Sequence, residues 1–174
     1  MRIKTFGLTD IGCVRKRNED FLLYDSDSCL VMVADGVGGQ NFGDIASELA
    51  CRVFFEDIYP ELSTTKSVSD GRFLSSVELA HRSLLEKKDI LKSEKCIATT
   101  MNILSFSNES VSNIFVGDSR SYCFRLGKLK QLSWEQNISN YLKRGFVAGD
   151  KYQKMNPSTV VEVVGGFSCR PQIV

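Results

Sequence analysis

Two long stretches of the chain place their apolar residues at the spacing of an α-helix, and they predict two helices in the first half of the sequence. One apolar stripe begins at residue 45 and a second at residue 73. Asp44 and Asp70 precede these stripes and are predicted to cap the helices, while the polar segment 61–70 is predicted to be a loop. The stripes consist of Ile45, Ala46, Leu49, Ala50, Val53 and Phe54, and of Phe73, Val77, Ala80 and Leu84.

Short runs of β-branched and aromatic residues flank the helical pattern on both sides and predict strands. The turn sequences SNES, GDSR and LGK separate the later runs, as in strands joined by tight turns. Strands, then two helices, then hairpin-linked strands predict an α+β fold with antiparallel sheets and the helices on one face. The predicted strands are residues 4–9, 20–24, 29–34, 97–106, 111–116, 121–126, 128–132 and 160–164.

Length and charge narrow the classes of protein to consider. At 174 residues the chain can bury a sizeable core, and residues 1–174 are predicted to form one domain. Its 22 basic and 21 acidic side chains favour neither a nucleic acid nor an acidic membrane as partner. The longest apolar run, residues 30–34, is too short to span a bilayer, and the first ten residues lack the apolar core of a signal peptide. A cytoplasmic protein is therefore expected.

The cysteines and the histidine restrict the possible chemistry. Six cysteines lie far apart without a CxxC pair, which is typical of separate reduced thiols rather than of a disulfide framework or a zinc site. His81 is the only histidine and lies in an apolar helical pattern, where a packed or surface role is expected before a catalytic one. Histidine-rich zinc sites are excluded, so any catalysis is expected to use carboxylates.

The sequence ADGVGGQNFGD, residues 34–44, concentrates glycines directly after Asp35. Such backbone freedom suits positive φ angles or a close approach to a bound group, and a phosphate, a metal ion or a sharp turn would each account for it. A Walker loop would continue with Lys and then Ser or Thr, whereas Gly43 precedes Asp44. The charge of Asp35 favours a cation over an anion, although an Asp-Gly pair by itself more often marks only a turn.

Two further acid-bearing turns strengthen the case for a cation. The segment TDIGCVRKRNED ends in Glu19 and Asp20, and the segment IFVGDSRSY holds Asp118 between two predicted strands. Acids at the ends of neighbouring strands can meet at one edge of a sheet, and sites built only of oxygen suit Mg²⁺ or Mn²⁺. For each acid taken alone, the alternative is a solvated turn residue or a helix cap.

These motifs, in this order and spacing, resemble the bacterial branch of the PPM family, the type 2C metal-dependent protein serine/threonine phosphatases. TDIGCVRKRNED and ADGVGGQNFGDIAS are followed by ATTMNILSF, FVGDSRSY and RLGKLKQLS, so the resemblance covers about residues 9–132. It implies an α/β/β/α sandwich of two antiparallel sheets flanked by helices, which agrees with the α+β prediction. It also implies two Mn²⁺ or Mg²⁺ ions that activate a bridging water for attack on a phosphomonoester.

The resemblance assigns metal-binding roles to five residues. Asp35 matches the carboxylate that bridges the two metals, and the carbonyl of Gly36 matches a ligand of one of them. Glu19 and Asp20 match acids that hold that metal through its waters, which suits ions that retain part of their hydration. Asp118 matches a ligand of a weaker third metal.

Arg15 matches the arginine that grips the substrate phosphate in the family. Its planar fork of donors suits a phosphate, although a surface salt bridge is the alternative. The resemblance therefore implies a phosphatase with Arg15 and Asp35 as catalytic residues and proteins phosphorylated on Ser or Thr as substrates.

Parts of the family pattern are absent from these 174 residues. The family continues with a DG-x-x-D turn and a terminal Asp-Asn pair that supply further metal ligands, whereas Asp150 is the only aspartate after Asp118. Gln40 stands where the family has histidine, and SWEQN at residues 133–137 replaces Thr-x-Asp-His-Ser. We therefore expect a C-terminally incomplete sandwich whose exposed sheet edges a partner chain could cover.

Three explanations of this pattern remain open. The sequence is a fragment of an active phosphatase, a pseudophosphatase that binds phosphoproteins or a regulator, or a chain completed by another chain. The first is favoured because the acids and the arginine of the motifs survive together. A purely structural α+β domain is a further alternative. The retained residues are Arg15, Glu19, Asp20, Asp35 and Asp118.

Overall fold

The computed structural model describes residues 3–37, 42–65 and 68–174 of the chain. Within these ranges it contains eight strands and four helices. In chain order the elements are β1 (Asp20–Asp25), β2 (Leu30–Val37), α1 (Gly43–Thr65), α2 (Asp70–Ile90), β3 (Ala98–Thr99), β4 (Met101–Phe106), β5 (Val111–Val116), β6 (Tyr122–Arg125), β7 (Lys128–Gln131), α3 (Ile138–Lys143), α4 (Asp150–Gln153) and β8 (Gln172–Ile173).

Two antiparallel sheets organise these elements. The larger, called the main sheet below, has the strand order β1-β2-β4-β5-β8, with the short β3 pairing with β2 beside this path. The strands β6 and β7 form a separate two-stranded hairpin. The predicted α+β class is confirmed, since antiparallel sheets combine with helices as expected. None of the helices in the described ranges combines the length and apolarity needed to cross a bilayer.

The hydrophobic core lies between one face of the main sheet and the helices α1 and α2. Alternate residues of a strand point to opposite faces, so Leu30, Met32 and Ala34 of β2 are buried in this core. The apolar stripes of the helices supply the other side, and Phe54 of α1 stacks on Phe73 of α2 with 6.4 Å between ring centroids. The two long helices therefore cover one face of the main sheet.

The opposite face of the main sheet, called the open face below, is covered only in part. Near β4 and β5 it carries a buried polar network in which Asn102 donates hydrogen bonds to the carbonyl of Ser119 and to the hydroxyl of Ser133. Phe115 packs edge-on against Trp134, with 6.2 Å between ring centroids. Ser119, Ser133 and Trp134, which lie on either side of the β6–β7 hairpin, thus cover part of this face.

Several sequence predictions differ from the structure at the ends of the helices. The predicted loop at 61–70 is wrong for residues 61–65, which continue α1 because Leu62 is buried and the hydroxyls of Thr64 and Thr65 bond back to helix carbonyls. The predicted cap Asp70 is already helical, and the side chain of Ser69 accepts the N–H of Arg72 instead. Helix α1 likewise begins one residue before the predicted cap, Asp44.

Three predicted strands also differ from the structure. Residues 4–9 form no strand and pair with none in the described part of the chain, because a strand needs a hydrogen-bonding partner as well as alternation. The predicted strand 97–106 is interrupted at Thr100, whose N–H donates to the carbonyl of Asp35 at 2.9 Å. Residues 160–164 form only isolated bridges, to Asn137 and Thr99.

Candidate active site

Asp20 and Asp35 lie directly opposite each other on the paired strands β1 and β2. Residues opposite in an antiparallel pair project to the same face, so the two carboxyl groups lie close together. Because Asp35 alternates with the buried Ala34, this pair lies on the open face, away from the helices. We call these two residues the acid pair.

The charges around the acid pair act on one another. Burial, and then the nearby negative charges of Asp20 and Asp118, raise the pKa of Asp35 to about 6, whereas the charge of Arg15 acts in the opposite direction. Four of the residues predicted from the sequence therefore share one electrostatic site. Two carboxyl groups at such close range favour the binding of a proton or of a cation between them.

Two clefts flank the acid pair. The smaller one, of about 190 Å³, is also lined by Arg15, Glu19 and the backbone of Gly36. The larger one, of about 300 Å³, extends over the open face to Ser119. The structure thus gathers the sequence-predicted residues around the acid pair, with Arg15 exposed at its rim.

Two of the glycines near Asp35 allow a close approach between the end of β2 and the start of α1. A Cβ atom on Gly36 would overlap the carbonyl oxygen of Gly43, and a Cβ atom on Gly43 would lie 2.6 Å from a carboxylate oxygen of Glu19. The carbonyl of Glu19 in turn accepts the N–H of Gly36 at 3.0 Å and the hydroxyl of Ser47 at 2.7 Å. This packing holds Glu19 and Gly36 side by side. The remaining loop positions 38–41, including the predicted departure Gln40, lie outside the described residues.

Thr100 connects the acid pair to the turn that holds Asp118, a role that sequence reasoning missed. Its hydroxyl accepts the N–H of Asp35 at 3.0 Å and shares a 2.7 Å hydrogen bond with the hydroxyl of Ser119. The available signal was a pair of adjacent threonines near the start of the predicted strand 97–106. Such polar residues in a buried strand need partners, and here the partners belong to the site.

Gln136 holds the same turn from the other side. Its buried side chain accepts the N–H of Gly117 at 2.7 Å and donates to the carbonyl of Arg170, and its own N–H donates to the carbonyl of Gly117. Gly117 has a φ of +102°, and a Cβ atom there would lie 2.6 Å from the side chain of Thr100. Sequence reasoning noted Gln136 only as a departure from the family pattern, whereas the structure gives it a positioning role.

The donor set fits a hydrated divalent cation. Among the described residues, no group of three or more His, Cys, Asp or Glu side chains is close enough to hold a metal by itself. Mg²⁺, however, is commonly held by one or two carboxylates and keeps several waters, and oxygen ligands also suit Mn²⁺. The acid pair supplies two such carboxylates, and the backbone of Gly36 lines the same cleft.

Comparisons with known proteins agree with this geometry. The sequence profile described as protein phosphatase 2C matches residues 15–151. The chain is 30% identical over 145 residues to the serine/threonine phosphatase stp of Listeria welshimeri, an alignment that covers 78% of this chain and 56% of that protein. The chain thus spans about half the length of the curated relatives it matches.

Solved phosphatase structures share the fold. The serine/threonine phosphatase of S. agalactiae superposes with a TM-score of 0.74 at 24% identity, covering 96% of this chain and 71% of that one. The catalytic domain of the phosphatase PstP, in complex with two manganese ions, superposes with a TM-score of 0.70 at 20% identity, covering 94% of this chain and 67% of that one. With the profile match extending over most of the sequence, the chain belongs to the protein phosphatase 2C (PPM) family.

Proposed function

We propose that this chain carries the metal-binding and phosphate-binding end of a Mn²⁺- or Mg²⁺-dependent protein serine/threonine phosphatase. The observation that carries the proposal is the acid pair, two carboxyl groups that face each other across β1 and β2 beside a cleft that is also lined by Arg15. Several of the matched relatives are serine/threonine phosphatases, and one superposed structure holds two manganese ions.

In this proposal the acid pair and the carbonyl of Gly36 hold a divalent cation at the edge of the smaller cleft. When bound, such an ion lowers the pKa of a water and stabilises charge on the oxygens of a phosphoryl group. Thr100 fixes the backbone of Asp35 by accepting its N–H, so the carboxyl group is oriented by the main sheet rather than by a mobile loop. Glu19 and Asp118 add negative charge around the pair and can accept hydrogen bonds from bound waters.

Arg15 is proposed to bind the phosphate of the substrate. Its guanidinium lies close enough to the acid pair for its charge to act on the pKa of Asp35, and it lines the same cleft. A phosphate next to two carboxylates needs a positive partner, and arginine can donate two parallel hydrogen bonds to it. Arg15 would thereby hold the phosphate group beside the acid pair.

Release of phosphate from a phosphoserine peptide tests the proposal. We expect turnover only with Mn²⁺ or Mg²⁺, and a loss of about 100-fold or more in kcat/KM for Asp35→Asn, because removing a metal-binding charge withdraws several kcal/mol of stabilisation. The matched control is Asp27→Asn, which makes the same change at an exposed turn between β1 and β2. Equal rates for the two variants would contradict the proposal.

Binding of Mn²⁺ is measured separately, by calorimetry and by the midpoint of thermal unfolding. A ligand that binds only the folded state raises this midpoint, so we expect a rise for the wild-type chain and for Asp27→Asn but not for Asp35→Asn. Binding of Mn²⁺ and of the phosphopeptide without turnover would favour the alternative function, a pseudophosphatase that recognises phosphoproteins or a regulator.

The finer parts of the function remain proposals. A protein phosphorylated on Ser or Thr is the proposed substrate class, because the matched relatives carry that specificity in their names. The roles of the individual residues, the single domain over residues 1–174, the cytoplasmic location and the lack of a nucleic-acid or membrane partner stay predictions of the sequence.

A further inference from the structure

The smaller cleft beside the acid pair is lined by two arginines, of which the proposed function uses only one. Arg15 and Arg17 both line this cleft, whereas Lys16, which lies between them in the sequence, does not. Within the described part of the chain Arg17 forms no ion pair, although Asp10 and Glu19 line the same cleft. The exposed side chain of Arg17 is therefore a cation that a ligand of this cleft can contact.

The loop that carries Arg17, residues 9–20, is closed by its own hydrogen bonds. The side-chain amide of Asn18 donates to the hydroxyl of Thr9 at 2.7 Å, and the side-chain oxygen of Asn18 accepts the N–H of Asp20 at 3.1 Å. Asn18 thus connects the beginning of the loop to the first residue of β1. All residues that line the cleft lie between positions 10 and 36, so its walls consist of this loop and of the adjoining ends of β1 and β2.

The other charged residues of the cleft already have a partner or a role. The carboxylate of Asp10 accepts the N–H of Gly12 at 2.7 Å. The proposed function assigns the acid pair and Glu19 to a hydrated cation and Arg15 to the phosphate. A phosphopeptide in the cleft also brings the side chains that flank its phosphorylated residue. An acidic side chain there is repelled by the carboxylates of the site unless a cation pairs with it, and Arg17 can supply that cation.

The spacing of the two arginines matches the spacing of neighbouring residues in a peptide. Consecutive Cα atoms are about 3.8 Å apart, so the Cα atoms of Arg15 and Arg17 are separated by at most about 7 Å. The same limit holds for a phosphoserine and the residue two positions away from it. A peptide that places its phosphate at Arg15 can therefore bring a nearby carboxylate to Arg17, whose guanidinium can donate two parallel hydrogen bonds to it.

We propose that Arg17 is a specificity-determining residue that binds an acidic side chain one or two positions away from the phosphorylated residue of the substrate. The preferred substrates are then phosphopeptides with aspartate or glutamate beside the phosphoserine or phosphothreonine. A lysine at the same place is disfavoured, because it sets a like charge next to Arg17. The inference rests on the proposed function for the position of the phosphate at Arg15, and it adds the class of sequence that surrounds this phosphate.

The test measures binding without turnover, by fluorescence anisotropy of the full chain in the presence of Mn²⁺. Three peptides carry a phosphonate analogue of phosphoserine, which cannot be hydrolysed, and differ only in the flanking residues, which are glutamate, alanine or lysine. We expect the glutamate peptide to bind about fivefold more tightly than the alanine peptide, which corresponds to about 1 kcal/mol for an exposed pair of arginine and carboxylate. The lysine peptide should bind most weakly. Release of phosphate from the corresponding phosphoserine peptides is followed in parallel.

Variants of the chain locate the preference. Arg17→Glu should reverse the order of the glutamate and lysine peptides. Lys16→Glu, which makes the same charge change at the neighbouring exposed position outside the cleft, should keep the wild-type order. Equal binding of the three peptides, no binding of any of them, or equal shifts in the two variants would overturn the inference. Arg17→Met should weaken the glutamate peptide more than the alanine peptide, and an equal loss for both would overturn the inference in favour of direct contact with the phosphate.

The parallel measurements separate this inference from the proposed function. A preference for the glutamate peptide that depends on Arg17, without release of phosphate, would uphold the inference and contradict the enzymatic part of the proposed function. Release of phosphate that depends on Mn²⁺, with equal binding of the three peptides, would uphold the proposed function and overturn the inference.

Discussion

The two faces of the main sheet differ in what covers them. On the helix-covered face, Met32 and Ile103 are almost completely buried beneath α1 and α2. On the open face, Val33 of the same strand β2 is 44% exposed, and the acid pair lies at the end of this strand pair beside its two clefts. The two faces therefore have different roles. Apolar packing on the helix-covered face stabilises the fold, and the open face can hold charged groups near solvent.

The largest change in stability is expected when an aromatic residue of the core is removed, and an exposed apolar residue of the hairpin serves for comparison. Phe54→Ala should lower the free energy of unfolding by about 3–5 kcal/mol, because it leaves a cavity between α1 and α2. Leu129→Ala, at an exposed position, should change it by about 0.5 kcal/mol or less. Urea unfolding measures both. A loss at Leu129 as large as that at Phe54 would mean that the hairpin is packed in solution.

The next effect concerns the turn that holds Asp118 on the open face. Gly117→Ala should destabilise the chain by about 2 kcal/mol or more, because the residue has a positive φ and its Cβ atom would press on Thr100. Gly71→Ala in α2 is the matched control, since nothing lies within 4 Å of its Cβ position, and it should stabilise by up to about 1 kcal/mol. Thermal unfolding that ranks the two variants in the opposite order would contradict this account of the turn.

A smaller effect is expected from the ion pair that joins the two long helices. Arg72 of α2 donates to the carboxylate and the carbonyl of Asp57 in α1, and its hydrogen bond holds the pKa of Asp57 below the usual value. Arg72→Met should cost about 1–2 kcal/mol at neutral pH. The lowered pKa means that this stabilisation is complete above pH 3.8, the ordinary value for the group, and is lost as the pH falls through the lower folded-state pKa.

The control for this pair is the exposed ion pair between Arg52 and Glu48 within α1. Arg52→Met should cost about 0.5 kcal/mol or less, since solvent screens such pairs. Chemical unfolding between pH 3 and pH 7 measures both variants. A gap between the wild type and Arg72→Met that stays constant over this range would argue against the assigned ion pair.

The smallest effect is a pH dependence at His81, on the face of α2 that contacts the segment around Gly165. The Nδ1 atom of His81 accepts the N–H of Gly165 at 2.9 Å, and burial lowers the pKa of the histidine although the charge of Glu78 opposes this. The contribution of neutral His81 to the stability of the fold is therefore complete above pH 6.5, the ordinary pKa of the group, and is lost as the pH falls through the lower folded-state pKa. His81→Gln keeps a hydrogen-bond acceptor but does not titrate. The change in unfolding free energy between pH 7 and pH 5 should therefore be smaller in this variant than in the wild type, by less than about 1 kcal/mol. A variant as pH-dependent as the wild type would remove His81 as the cause.

Periodicity predicted the long helices because their burial repeats along the chain. The apolar stripes around Phe54 and Phe73 can be recognised in the sequence, because each helix packs the same side against the core throughout its length. The ends of helices and strands are harder to predict from the sequence, because they depend on contacts with residues that are distant along the chain. The strand interruption at Thr100 arises from its bonds to Asp35 and Ser119, which no local pattern contains.

The candidate site likewise has features that the sequence predicts and features that it does not. Its acids and arginine could be indicated from motifs and from the charge that precedes the glycines. The alignment of Asp20 with Asp35 depends on the register of β1 and β2, and the role of Gln136 depends on the turn at Gly117. Both involve residues far apart along the chain, so they could not be predicted from spacing alone.

For this protein, the order of residues alone determined which segments are apolar on one side, which side chains can hold a cation or a phosphate, and which family it resembles. The tertiary structure alone decided that Asp20 and Asp35 face each other, that Gly36 and Gly43 permit β2 to approach α1, and that the hairpin is presented to solvent. The physical reason is the distance along the chain over which each property is determined. Helical periodicity and side-chain chemistry are local properties, whereas pairing register and close backbone approach arise only when distant segments pack together.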